Sequence, residues 1–77
     1  MIEEHESVVL TESLSKAGLV AGDVGVVVHV HSHGEAFEVE FMTLQGDTVS
    51  VETLTAKQVR AARDCDIPHV RERTLLA

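Results

Sequence analysis

Apolar and polar positions alternate along this chain in short runs separated by glycine-bearing turns. A period of two sends successive side chains to opposite faces of a strand. Ser7–Glu12 (SVVLTE) predicts a first strand, and Ser13–Ala17, which has no strong period, a short turn or single helical loop. Ala21-Gly22-Asp23 then supplies a tight turn from residues that tolerate unusual φ. Across Val24–His31, Val24, Val26, Val28 and Val30 point one way, while Gly25, Val27, His29 and His31 point the other. Ala36–Met42 alternates as well, with Phe37, Val39 and Phe41 on one face and Glu38 and Glu40 on the opposite one. A two-residue loop at His33-Gly34 pairs Ser32 with Glu35. Val30, Val28 and Val26 then face Phe37, Val39 and Phe41 in the interior, while His29 faces Glu38 and Val27 faces Glu40 outside. A one-residue slip would break all three inner pairs.

Gln45-Gly46-Asp47 marks the next reversal, followed by a strand at Thr48–Thr53. Placing Val49 and Val51 beside Val39 and Phe41 requires a three-residue loop with Gly46 or Asp47 in the left-handed region. Thr55–Arg63 offers one large apolar residue, too few to anchor a long helix, so it reads as a single helical turn near Ala56–Gln58 leading into a short strand. Ile67–Arg71 is a candidate closing strand, and Pro68 confines it to an edge or a strand start. Residues 1–5 and 74–77 are expected to fray around a core spanning about 7–72. Four short strands with tight reversals are too few for a sandwich. The expectation is therefore one all-β domain over residues 1–77, a small bent barrel of five to six strands with one helical turn near residues 56–58.

Composition agrees with this pattern. Thirteen valines and six threonines suit a pleated surface better than a helix, and tryptophan and tyrosine are absent. At 77 residues there is room for one small core. No apolar run approaches the ~18 residues of a membrane-spanning helix. An acidic start (Met1-Ile2-Glu3-Glu4) is the reverse of a secretion signal, and a single cysteine, Cys65, forms no internal disulfide. A reducing cytoplasm is the expected compartment. The formal charge is −7 and it is unevenly spread: residues 1–52 carry ten acids and one base, whereas residues 53–77 carry five bases and three acids.

The run Gly18-Leu19-Val20-Ala21-Gly22-Asp23-Val24-Gly25-Val26-Val27-Val28, followed by Phe37-Glu38-Val39-Glu40-Phe41, resembles an uncharacterised bacterial family of small SH3-like-barrel proteins with a GLxxGDxGxVV stretch and a YEVEF strand. Gly46, Thr53-Leu54 with Gln58-Val59-Arg60, and Ile67–Glu72 extend the resemblance over most of the chain. It implies the barrel and no catalytic residues, and its members are often small accessory or antitoxin-like proteins. The Gly-Asp-x-Gly element is also similar to the turn of ribosomal KOW-type domains, where glycines allow a sharp bend into the second strand.

Candidate chemistry is sparse. His29 and His31 share a strand face and could reach one metal ion, with Glu38 opposite, because neutral imidazole suits zinc, nickel or copper. The simpler reading is an outer polar face with cross-strand His–Glu pairing. Glu38, Glu40 and Glu52 are read as lining one sheet face, but a barrel filled by its own valines offers no cleft for acid–base work. Lys57, Arg60, Arg63, Arg71 and Arg73 form the only basic stretch, with no aromatic residue for base stacking and an acidic body that repels phosphates. The expectation is a non-enzymatic protein-interaction module without a cofactor, of antitoxin, immunity or accessory-subunit type. It would contact a protein partner through Glu38, Glu40 and Glu52 or through Arg71 and Arg73. The alternatives are a KOW-like nucleic-acid-binding module and a metal-binding protein using His29 and His31. Homo-oligomerisation is a further option, through an exposed Val27 and the edge strand at 67–71.

Overall fold

A computed structural model describes residues 1–73, and the fraying expected at 74–77 lies outside the described residues. Strands β1 (Ser7–Leu10), β2 (Val24–His31), β3 (Ala36–Met42), β4 (Thr48–Thr55) and β5 (Val59–Ala61) form one antiparallel sheet in the order β4-β3-β2-β1-β5. The sheet curls into a small barrel-like fold, all-β as expected. Short 3₁₀ turns occupy Ser15–Ala17 and Ser32–Gly34, and a turn at 56–58 leads into β5 where the sequence placed one. Inside the curl lie Val8, Leu10, Leu19, Val27, Phe37, Val39, Phe41, Leu54 and Val59.

The β2–β3 register corrects half of the expected hairpin. His29 pairs with Glu38 and Val30 with Phe37, as the alternation requires, and His31 with Ala36. A bulge between Val27 and His29 then shifts the remainder by one residue, pairing Val27 with Val39, Val26 with Glu40 and Gly25 with Phe41. An extra residue on one strand reverses the facing of everything beyond it. Val27, expected outside, is therefore fully buried, while Val28 is 41% and Val24 50% exposed. The cause is Gly25. A Cβ built there would sit 2.5 Å from Val39 Cγ1 and 2.9 Å from Phe41 Cε1, so the space of its missing side chain is filled by the two large inner residues of β3. Any side chain at this position would force Val39 and Phe41 to shift.

The flanking turns also differ from expectation. His31–Ala36 is the last pair, so the loop spans four residues rather than two, and Ser32, His33 and Gly34 all adopt positive φ (48°, 56° and 101°). Gly46 has the left-handed φ assigned to that reversal (97°), and β4 enters at Met42–Thr48 in the expected parity, but beyond that pair the register shifts by one residue: Phe37 pairs with Leu54, Val39 with Glu52 and Phe41 with Ser50. Leu54 thereby takes an inner position opposite Phe37, and Val51 turns outward. A second irregularity, between Phe41 and Met42, lets Val49 still pack against the core.

Both termini depart from the sequence reading. Residues 1–5 are tied down: the His5 N–H donates to the Val27 carbonyl at 2.7 Å, and Ile2 packs against the core. Ile67–Arg71 is not a strand. After β5 the chain runs as an irregular strap along the barrel, because Pro68 cannot donate to a ladder and Arg71 is drawn to Asp23 instead. The edge pairing proposed through Val27 and residues 67–71 loses both of its supports.

Candidate functional site

Two surfaces concentrate the exposed chemistry, and the bulge at Val28 creates the first. On the outer face of the sheet, Val26 of β2, Glu40 of β3 and Val51 of β4 form one cross-strand row, and His29, Glu38 and Thr53 form another. Val24, Val28, Met42 and Val51 are all exposed large apolar residues of β2–β4. Alternation without the bulge would have put Val24 and Val28 inside, and the register shift in β4 turns Val51 outward. The outer face is thus a valine-rich surface carrying two carboxylates.

The polar side chains of this face are held by neighbours. Glu38 and His31 are bonded at 2.8 Å between Oε2 and Nε2, a diagonal contact rather than the directly opposite His29–Glu38 pair. His29 instead lies 3.8 Å from Glu4 (Nδ1 to Oε1) and meets the His31 ring edge-on, with centroids 4.5 Å apart. Thr48 Oγ1 donates to Glu40 Oε2 at 2.6 Å. Glu52, grouped with these glutamates by sequence, lies on the opposite face across from Val39, where it accepts a hydrogen bond from the Ser50 hydroxyl. The three-glutamate face therefore reduces to Glu38 and Glu40. Among the described residues no group of three or more His, Cys, Asp or Glu side chains could hold a metal ion. His29 and His31 are neighbours with carboxylates at their flanks, not a converged ligand set.

The strap forms the second surface and is fastened at two points. Arg60 on β5 makes a bidentate pair with Asp66, 2.9 Å on each arm, and the Arg63 N–H donates to the same carboxylate at 2.7 Å. The Arg60 hydrogen bonds, then that backbone donor, hold the Asp66 carboxyl down at about 2, and the bonds to Asp66 raise the guanidinium of Arg60. At the far end Arg71 forks onto Asp23 at 2.9 and 2.5 Å and donates to the Gly18 carbonyl at 3.0 Å. Partial burial pushes the Asp23 carboxyl up. The Arg71 hydrogen bonds, the Val20 N–H and the guanidinium charge together outweigh that and keep it below its ordinary value.

Asp23 thus has two roles, closing the turn before β2 through Val20 (2.9 Å) and anchoring the strap. Arg71, a sequence candidate for partner contact, is engaged inside the molecule, whereas Arg73 lines a groove of about 440 Å³ with Leu19, Phe41, Met42, Leu44 and Val70. Between its anchors the strap presents Ile67 and Val70 to solvent. Sequence reasoning missed these two residues. A Pro-containing segment flanked by Asp66 and Arg71 was the available signal.

No helix among the described residues is long and apolar enough to cross a membrane. Comparison with curated proteins and with solved structures returns no match. A family model does match, over residues 4–61, from the N-terminal tie through the last strand and short of the strap. By that match the chain belongs to the family described as a domain of unknown function (DUF4926).

Proposed function

We propose that this protein is a non-enzymatic interaction module, an SH3-like barrel that binds a protein partner through the outer face of β2–β4. An antitoxin, immunity or accessory-subunit role is its concrete form. The observation that carries the reading is the outward turn of the valines beyond the bulge. Val24, Val28, Met42 and Val51 are exposed together on a face that also holds Glu38 and Glu40. An apolar centre supplies affinity by dehydration, and acidic groups around it select and steer a basic partner. Residues 1–52 carry a net charge of −9, which extends the same field over the whole body. Masking a basic active surface by this face is the mechanism the charges favour. Arg73, beside the groove, is the basic residue placed to add a contact at the edge.

The test is a photo-crosslinking residue incorporated at Val28 or at Lys16, with the captured proteins identified by mass spectrometry. A single protein captured from position 28, absent from position 16 and lost on Glu38→Lys/Glu40→Lys, is the expected result. Capture of nucleic acid instead, with retention falling steeply as salt rises, would replace this reading by the KOW-like one.

A further inference from the structure

The two edges of the sheet are treated very differently. β5 is three residues long, and the Arg60–Asp66 pair fastens the strap alongside it. β4 is eight residues long and contains no lysine, arginine or proline. Among the described residues, β3 supplies the only backbone hydrogen-bond partners of Thr48–Leu54. Natural sheets blunt a bare edge with lysine, proline, shortness or a cover, because unpaired N–H and C=O groups template the addition of another strand. β4 has none of these along its length, and its protection is limited to the inward-facing Glu52 and the irregularity at its Thr48 end.

We infer that β4 is a self-association edge that pairs antiparallel with β4 of a second copy of this chain, about a two-fold axis at Val51. Sequence and facing together select that register. Antiparallel neighbours share a face, so outward residues must meet outward ones. Two registers then retain the longest overlap. One sets Glu52 against Glu52 of the second copy, a like-charge pair directly opposite, which is destabilising.

The other sets Val51 against Val51 and Ser50 against Glu52, and its matched facing ends at the irregularity beside Val49. It places the two half-exposed valines in contact and lets each Ser50 hydroxyl donate to Glu52 of the second copy in place of the Glu52 of its own strand. An isologous contact of this kind closes at two copies instead of propagating. The outer faces of the two barrels become one continuous surface, with Val51 at its centre.

Each copy carries a charge of −7, so long-range repulsion opposes the contact and salt relieves it. Association therefore strengthens as salt rises, the opposite of nucleic-acid binding. This inference is independent of the partner reading, since it concerns the protein alone in buffer.

Sedimentation equilibrium on the purified full chain, at rising concentration and at low and high salt, reads it directly. A weight-average mass climbing from 8.4 kDa toward twice that value, more readily at high salt, is expected. Val51→Lys, at an already exposed position, should weaken the association constant by at least about tenfold, equal to ~1.4 kcal/mol. In a Cys65→Ser background, oxidised Val51→Cys should form a disulfide-linked dimer and Thr53→Cys should not. A chain that stays at 8.4 kDa at every concentration and salt overturns the inference. So does an unchanged Val51→Lys variant, or crosslinking at position 53 in place of 51.

Discussion

Gly25→Ala probes the bulge most sharply, because two registers predict opposite signs. In an uninterrupted hairpin Gly25 would face solvent, and a methyl group there would stabilise the strand by restricting the unfolded chain, by about 0.4–1 kcal/mol. In the bulged hairpin that methyl sits 2.5 Å from Val39 Cγ1, 2.9 Å from Phe41 Cε1 and 3.0 Å from the Glu40 carbonyl oxygen. All three distances are below van der Waals contact, and two of the neighbours are fully packed core side chains. Forcing extra volume into a filled core costs about 1–3 kcal/mol. The entropy gain offsets part of that, leaving a net loss of about 1–2 kcal/mol. For a domain of this size the loss lowers Tm by roughly 4–16 °C.

Thermal and urea unfolding followed by far-UV circular dichroism measure the change. Phe41→Leu supplies the second arm: trimming the ring removes part of the clash, so Gly25→Ala should cost less in that background. A rise in Tm for Gly25→Ala, or identical costs with and without the Phe41 ring, would refute the packing argument.

Arg71→Ala should loosen the strap while costing only about 0.2–1 kcal/mol of global stability, the range for exposed ion pairs, whereas Asp23→Ala also removes the Val20 turn bond and costs about 1 kcal/mol more. Limited proteolysis between residues 62 and 71 with parallel melts separates the two effects; equal melts for both variants would contradict the dual role of Asp23. Asp66 has a folded pKa depressed to about 2 against an ordinary value of 3.8, so the stabilisation it gives the strap is present above pH ~4 and disappears as pH falls toward 2. Protease protection of the strap should follow that window in the wild type and be flat across it, and lower at neutral pH, in Asp66→Asn.

Much of the fold is legible in the sequence because strand alternation and turn chemistry are local. The four early strands and the reversal at Gly46 follow from period and glycine placement, and the turn before β5 from the single large apolar residue of Thr55–Arg63. Register was less legible because a bulge leaves no strong local signal. By period alone Val24–His31 puts its four even-numbered valines inside, and the close packing of Val39 and Phe41 on Gly25 works against that phase. A second irregularity, beside Val49, likewise turns Val51 outward and Glu52 inward while bringing Leu54 opposite Phe37. The strap was misread as a strand because Ile67–Arg71 has strand composition, while the Asp23–Arg71 pair that sets its path joins residues far apart in the sequence. Of the candidate site, Glu38 and Glu40 were found by alternation; the exposed valines between them required the bulge.

Thiol labelling tests the outward turn of β2 most directly. In a Cys65→Ser background, Val27→Cys and Val28→Cys are exposed to a maleimide under native conditions and the modification rates are compared with those of the unfolded chain. Val28→Cys should react at nearly the unfolded rate, and Val27→Cys should be slowed by orders of magnitude, limited by opening of the barrel. Fast labelling at 27 with protection at 28 would restore the uninterrupted hairpin and remove the valine surface on which partner binding rests.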